Sequence, residues 1–318
     1  MVRNLNNKSH SLLGIKKKII MIIFIYILNF INKDLFKIKL PKVSVFLPIY
    51  NKQLYLNRSI NSIQIQTFKD IEIVAVNDGS TDYSLKMLKK MAKKDNRIKI
   101  INNDRNHGLL YSRAMGIINS SGEYAFNLDP DDKLGEKDDI AELYKHSKKY
   151  NLDFLRFLHR RIPRDKLDIG FCSVLDKKQL YIEDIWITNK FIKKNVFIKA
   201  YNNFKSKIYL YKWNYHEDNI WSKLIYKYSK SNLIYKKPVY IVLRNNGSLM
   251  AKFKSNKIEL KNRFYRLETY FELNLKILKS TKKEMNFFKN KMHDLKDREL
   301  RKKIIHFFFK YKNLINKI

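Results

Sequence analysis

Between Val43 and Asp129 the chain alternates short apolar runs rich in β-branched residues with stretches of helical period, an order that leaves few folds open. The run Val43-Ser44-Val45-Phe46-Leu47 meets Pro48, so it reads as a buried strand entering a loop at Ile49, Tyr50 and Asn51. Leu56, Ile60 and Ile63 then recur at helical spacing. A second strand, Asp70-Ile71-Glu72-Ile73-Val74-Ala75-Val76, runs into the turn formers Asn77-Asp78-Gly79-Ser80-Thr81-Asp82. The pattern repeats with a helix near Tyr83 to Lys94, a strand at Arg97 to Ile101, a helix near Gly108 to Asn119 and a strand ending at Asp129. Strands alternating with helices imply a mostly parallel α/β sheet covered by helices on both faces. Ligands of such sheets bind beyond the carboxyl ends of the strands, where Pro48, Tyr50, Asp78 and Asp129 all fall.

The segment Leu128-Asp129-Pro130-Asp131-Asp132 crowds three carboxylates onto one turn. Like charges this close repel and raise one another's pKa, whereas a hard divalent cation such as Mg2+ or Mn2+ favours oxygen ligands and leaves positions open for substrate phosphates. An acidic turn ahead of the next helix is the plainer alternative.

Taken in order, the Pro48-Ile49-Tyr50-Asn51 strand end, Val76-Asn77-Asp78-Gly79-Ser80-Thr81-Asp82, Asn106-His107-Gly108-Leu109 leading through Ser112-Arg113-Ala114 to Gly116, and the Asp129-Pro130-Asp131-Asp132 turn resemble the family 2 glycosyltransferases. The resemblance implies a GT-A-like, Rossmann-type fold and an inverting enzyme that moves a sugar from a nucleoside-diphosphate sugar, with a UDP-sugar as first expectation, to an acceptor hydroxyl. It also implies a Mg2+ or Mn2+ cofactor and a glycan or lipid-linked acceptor, as in surface glycan or glycolipid assembly. Pro48, Tyr50 and Asp78 match positions that cradle the nucleoside, and Asp129, Asp131 and Asp132 match the acidic metal and ribose motif, with either Asp131 or Asp132 as direct ligand. Arg113 reads as a phosphate partner or as a solvated helix charge.

Direct displacement needs a carboxylate to take the acceptor proton. Glu217-Asp218 opens the apolar run Ile220, Trp221, Leu224, Ile225 and resembles the pair that supplies the base, with Asp218 preferred; an acidic pair favouring the helix dipole is the alternative. Leu243-Arg244-Asn245-Asn246 resembles the segment that closes the family's catalytic region, so Arg244 is a further phosphate candidate. His107 and His216 lack partners at metal-ligand spacing and read as loop residues.

Residues 42–250 form the expected catalytic domain, with a nucleotide-sugar half to 150 and an acceptor half after it, between an N-terminal segment 1–41 and a basic helical tail 251–318. The lone Cys172 excludes an internal disulfide, and the expected setting is cytoplasmic, peripheral at a membrane. The net charge of +36 invites a nucleic-acid reading, but Lys is spread over every kind of segment and no nucleic-acid motif accompanies it, so no nucleic-acid partner is expected. Ile19 to Ile31, behind Lys16-Lys17-Lys18, is short for a bilayer span and suits an interfacial segment or single-pass anchor. In the tail, Phe264, Leu267, Phe271 and Leu275, then Ile304, Ile305, Phe307, Phe308 and Phe309, suit either a cap on the catalytic domain or an anionic membrane surface. A non-catalytic nucleotide-sugar-binding module is the competing function, and a basic nucleic-acid binder a more distant one.

Overall fold

The computed structural model describes residues 40–162, 187–208, 217–243, 285–290 and 298–311, with Met21, Phe264 and Leu267. Its contacts divide the chain into Met1–Leu40 and Pro41–Ile318. In chain order the second unit runs β1 (Val43–Ile49), α1 (Leu56–Gln64), β2 (Ile71–Asn77), α2 (Ser84–Ala92), β3 (Ile98–Asn102), α3 (Leu109–Asn119), β4 (Tyr124–Asn127) and β5 (Lys133–Leu134). It continues with α4 (Asp139–Lys149), β6 (Phe154–Ile162), β7 (Lys190–Lys193), α5 (Lys194–Ile208), α6 (Glu217–Tyr228), β8 (Asn232–Leu243) and α7 (Arg298–Lys310).

The two-residue period of a strand sends alternate side chains to opposite faces. Val43, Val45, Leu47 and Ile49 of β1, with Ile71, Ile73 and Ala75 of β2, pack on one face against Leu56, Ile60 and Ile63 of α1, Leu88 of α2 and Ile140 and Leu143 of α4. Phe46, Val74 and Val76 point the other way, into a second core with Leu110, Ala114 and Ile117 of α3 and the apolar faces of α5 and α6. Gly116 lets α3 lie close to β1, because a Cβ there would sit 2.7 Å from the Phe46 ring.

All eight strands form one sheet in the order β3-β2-β1-β4-β7-β6-β8-β5. Four neighbouring pairs are parallel and three antiparallel, which agrees with the mostly parallel expectation. Only residues 128–132 separate β4 from β5, yet the two strands are four places apart in the sheet. Four places in a flat sheet are about 19 Å, and the link is shortened by a turn in which Asp132 N–H donates to the Asp129 carbonyl at 2.9 Å. The sheet therefore curls, bringing the β8–β5 edge round to the carboxyl ends of β1 and β4.

Beyond β8, Phe264, Leu267, Met285 and Phe288 gather with Leu300, Ile304 and Phe307 of α7 into a third apolar cluster. Of the tail residues read as one apolar set, Ile305 and Phe309 are exposed instead. The run Ile19 to Ile31 lies outside the described residues except for Met21, and among the described residues no helix is long and apolar enough to cross a membrane.

Candidate active site

Pro48 sits in β1 opposite Val76 of β2. It has no N–H to offer β4, and none is needed, because the β1–β4 pairing ends at Phe46–Asn127. The chain then turns through Tyr50, which is 42% exposed at the strand end. Asn51 adopts φ 52°, a left-handed conformation that Asn tolerates better than most residues. Its amide side chain is tied to the β2 loop: Thr81 N–H donates to Asn51 Oδ1 at 2.8 Å and Asn51 Nδ2 donates to Thr81 Oγ1 at 3.2 Å. The first two strand ends thus form one braced rim, with Tyr50 projecting from it.

Asp78 is turned inward from that rim. Its carboxylate accepts Asn103 Nδ2 at 2.9 Å and the backbone N–H groups of His107 and Gly108 at 3.0 and 2.8 Å. It therefore shapes the loop that leads into α3. Gly79 beside it, at φ 63°, lets the Arg105 backbone pass where a Cβ would come within 2.4 Å.

The three carboxylates of the acidic turn diverge. Asp132 is buried, accepting Tyr240 Oη–H at 2.9 Å and Leu243 N–H at 2.8 Å, and Tyr240 Oη in turn accepts Asp129 N–H at 3.0 Å. Asp132 thus fastens the turn to β8. Burial, with Asp129 and Asp131 close by, pushes its pKa up to about 8. Asp131 receives Lys52 Nζ at 2.6 Å, while its carbonyl accepts Arg58 NH2 at 3.0 Å. Asp129 accepts Asn127 Nδ2 at 2.7 Å and Arg113 NH2 at 3.1 Å.

Arg113 is not a solvated helix charge: only 1% of its side chain is exposed. Its NH1 donates to Asp218 Oδ1 at 2.5 Å, and its Nε to Asn127 Oδ1 at 3.3 Å. One buried guanidinium therefore joins the acidic turn to the first turn of α6, which Ile220, Trp221, Leu224 and Ile225 bury in the second core. Burial raises the Asp218 pKa, the Arg113 charge opposes that rise, Asp129 adds to it and Lys190 opposes it. Lys190, buried in β7, donates to Ser222 Oγ at 3.2 Å, on α6 beneath Asp218.

Among the described residues no three His, Cys, Asp or Glu side chains converge as a metal cage. A Mg2+-type ion does not require one, since it is commonly held by one or two carboxylates plus substrate phosphates. Asp129 and Asp131 are partly open and fit that pattern; Asp132, engaged with β8, does not. His216 and Arg244 lie outside the described residues, as does the side chain of Glu217. Sequence reasoning missed Lys52, Arg58, Asn127, Lys190 and Tyr240. Lys52 and Asn127 each adjoin a motif; the other three are brought in by tertiary contact, and no local signal marks them.

Solved structures share this architecture. S. aureus TarS 1–349 in complex with UDP-GlcNAc matches with a TM-score of 0.57 at 18% identity, over 85% of this chain and 73% of that one. The corresponding complex with UDP gives 0.56 at 18% identity, over 80% and 72%. The fold is thus a GT-A-like α/β fold. Residues 44–241, more than half of the chain, match the model of glycosyl transferase family 2, and the chain belongs to that family. Its relatives include glycosyltransferase GlyA of Streptococcus pneumoniae, 43% identical over 112 residues, which are 35% of this chain and 16% of GlyA. Another is the GalNAc(5)-diNAcBac-PP-undecaprenol beta-1,3-glucosyltransferase of Campylobacter jejuni, 38% identical over 96 residues, or 30% of this chain and 31% of that enzyme. The chain therefore spans less than a third of either relative's length.

Proposed function

We propose that this chain is an inverting glycosyltransferase that moves a sugar from a UDP-sugar to the hydroxyl of a glycan or lipid-linked acceptor at a membrane surface. The observation that carries the reading is the Asp218–Arg113–Asp129 bridge, which links the candidate base to the acidic turn. A module retaining only nucleotide binding has no use for a partly buried carboxylate held there by a buried guanidinium. The donor assignment draws support from the UDP and UDP-GlcNAc complexes of TarS, and the acceptor class from the undecaprenol-linked substrate in the name of the C. jejuni relative.

In this mechanism the Tyr50 ring and the rim around Pro48 receive the nucleoside, and Asp129 and Asp131 would hold a divalent ion. Such an ion would supply positive charge against the departing nucleoside diphosphate. Asp218 accepts the proton of the acceptor hydroxyl as its oxygen bonds to the anomeric carbon and the bond to the diphosphate breaks. Burial raises the Asp218 pKa and so makes it a stronger base, while the Arg113 charge opposes that rise and orients the carboxylate. Incubating the purified protein with a panel of nucleotide sugars and polyprenyl-linked or free glycans tests the proposal. Sugar transfer with inversion from a UDP-sugar is expected; nucleotide binding without transfer to any acceptor would instead favour a binding module.

A further inference from the structure

Helix α7 packs by one side only. Leu300, Ile304 and Phe307 are buried against Phe264, Leu267, Met285 and Phe288. At about 100° per residue, Arg298, Lys302, Ile305, His306 and Phe309 fall on the opposite side, Arg301 lies on the flank one turn before Ile305, and all six are exposed. Ile305 is 51% and Phe309 80% accessible. Scattered apolar side chains on a surface need no account. An isoleucine and a phenylalanine one turn apart, with Arg298 and Lys302 beside them and Arg301 at the border, form a coherent face. The only carboxylate of the helix, Glu299, lies toward Lys303, at 3.7 Å, on its flank.

We propose that this face of α7 docks the protein on an anionic lipid bilayer. Ile305 and Phe309 enter the boundary between headgroups and acyl chains, while Arg298, Arg301 and Lys302 meet the anionic headgroups, with the helix lying in the plane of the surface. Charge complementarity selects this occupant. A second copy of the chain would set the same three cations against each other, and like charges in contact are costly. A nucleic-acid backbone would satisfy the cations but provides no apolar layer for Ile305 and Phe309. The inference does not depend on the catalytic reading.

Sedimentation of the full chain with vesicles of phosphatidylcholine, alone or mixed with phosphatidylglycerol, provides the test. Wild-type protein is expected to pellet with the anionic vesicles and not with the neutral ones. In Ile305→Ser/Phe309→Ser the lipid concentration for half-binding is expected to rise on the order of tenfold or more. In Arg301→Glu/Lys302→Glu it is expected to rise at least as much, because each basic residue near such a surface is worth about fivefold. All four positions are exposed, so both variants should melt at the wild-type temperature, and Phe309→Leu should retain binding. No pelleting of the wild type with either vesicle overturns the proposal. So does pelleting of both double variants as strong as wild type, which would locate membrane contact elsewhere in the chain. A wild-type dimer that Ile305→Ser/Phe309→Ser converts to monomer, or tighter binding to an oligonucleotide duplex than to anionic vesicles, would also overturn it.

Discussion

Arg113 sets how the two carboxylates it touches can behave. A buried guanidinium between Asp129 and Asp218 offsets their mutual repulsion and fixes both in one orientation. Replacing Asp218 by Asn keeps an oxygen for Arg113 but removes the proton acceptor. Asp218→Asn is therefore expected to lower kcat by roughly 10²–10⁴-fold while UDP affinity by calorimetry stays near wild type; retained turnover would move the base to another residue. Lys52 poses a different question, because its ammonium occupies the Asp131 oxygen that a divalent ion would use. Lys52→Met is expected to tighten Mn2+ binding to the nucleotide-free protein by about fivefold, the ~1 kcal/mol of a partly exposed pair. An unchanged manganese isotherm would mean that the ion does not compete for Asp131. At this scale the sequence marked the acidic turn and Asp218 separately, through strand ends and a helix start. Their coupling through Arg113 was not legible, because it joins positions 105 residues apart and depends on how α3 and α6 pack.

Elements with strict periodicity were the legible ones. β1 to β4 and the helices between them follow from alternating β-branched runs and Leu56–Ile60–Ile63 spacing, and α6 follows from Ile220, Trp221, Leu224 and Ile225. The curled half of the sheet was not legible. β5 has only two residues, and β6 and β8 pair through register shifts around Phe157 and Leu158, near Pro238, so neither carries a clean period. Two predictions belong to the junctions between elements. Gly79→Ala forces a side chain into a left-handed conformation and against the Arg105 backbone, so a loss of about 2 kcal/mol or more is expected from urea denaturation. A smaller loss would show that the Arg105 segment moves aside readily. Asp139, the first residue of α4, accepts Glu136 N–H at 2.6 Å. Burial raises its pKa from 3.8 to about 6, against the pull of that hydrogen bond. A carboxyl whose folded pKa is raised stabilises the fold fully below the unfolded value, and that contribution is lost as pH climbs through the folded value. Stability should thus fall between about pH 4 and pH 6, by up to roughly 3 kcal/mol. Asp139→Asn should remove that slope and leave the protein more stable than wild type at neutral pH; parallel pH profiles for the two proteins would refute the assignment.

At the scale of the whole molecule the dominant fact is electrostatic: 66 basic residues face 30 acidic ones, leaving +36. The ion pairs seen among the described residues use the scarce carboxylates, at Asp95, Glu123, Asp129, Asp131, Glu142, Asp218 and Glu299, and cannot neutralise the excess of cations. Such a surplus destabilises the compact state by self-repulsion while keeping the protein soluble. Added salt acts on both sides of this balance. Raising NaCl from about 0.1 M to about 1 M shortens the Debye length from about 10 Å to about 3 Å, which weakens repulsion spread over the surface and also weakens exposed pairs such as Lys145–Glu142. Exposed pairs contribute at most about 1 kcal/mol each, and the Arg113 bridge is buried and screened far less. Relief of repulsion should win. The melting temperature is therefore expected to rise by several degrees across that range, and calorimetry or dye-monitored melting in NaCl would read it. A flat or falling curve would mean that the basic side chains stand too far apart to repel, or that ion pairs outside the described residues already hold much of their charge. In either case the surplus would not weaken the fold.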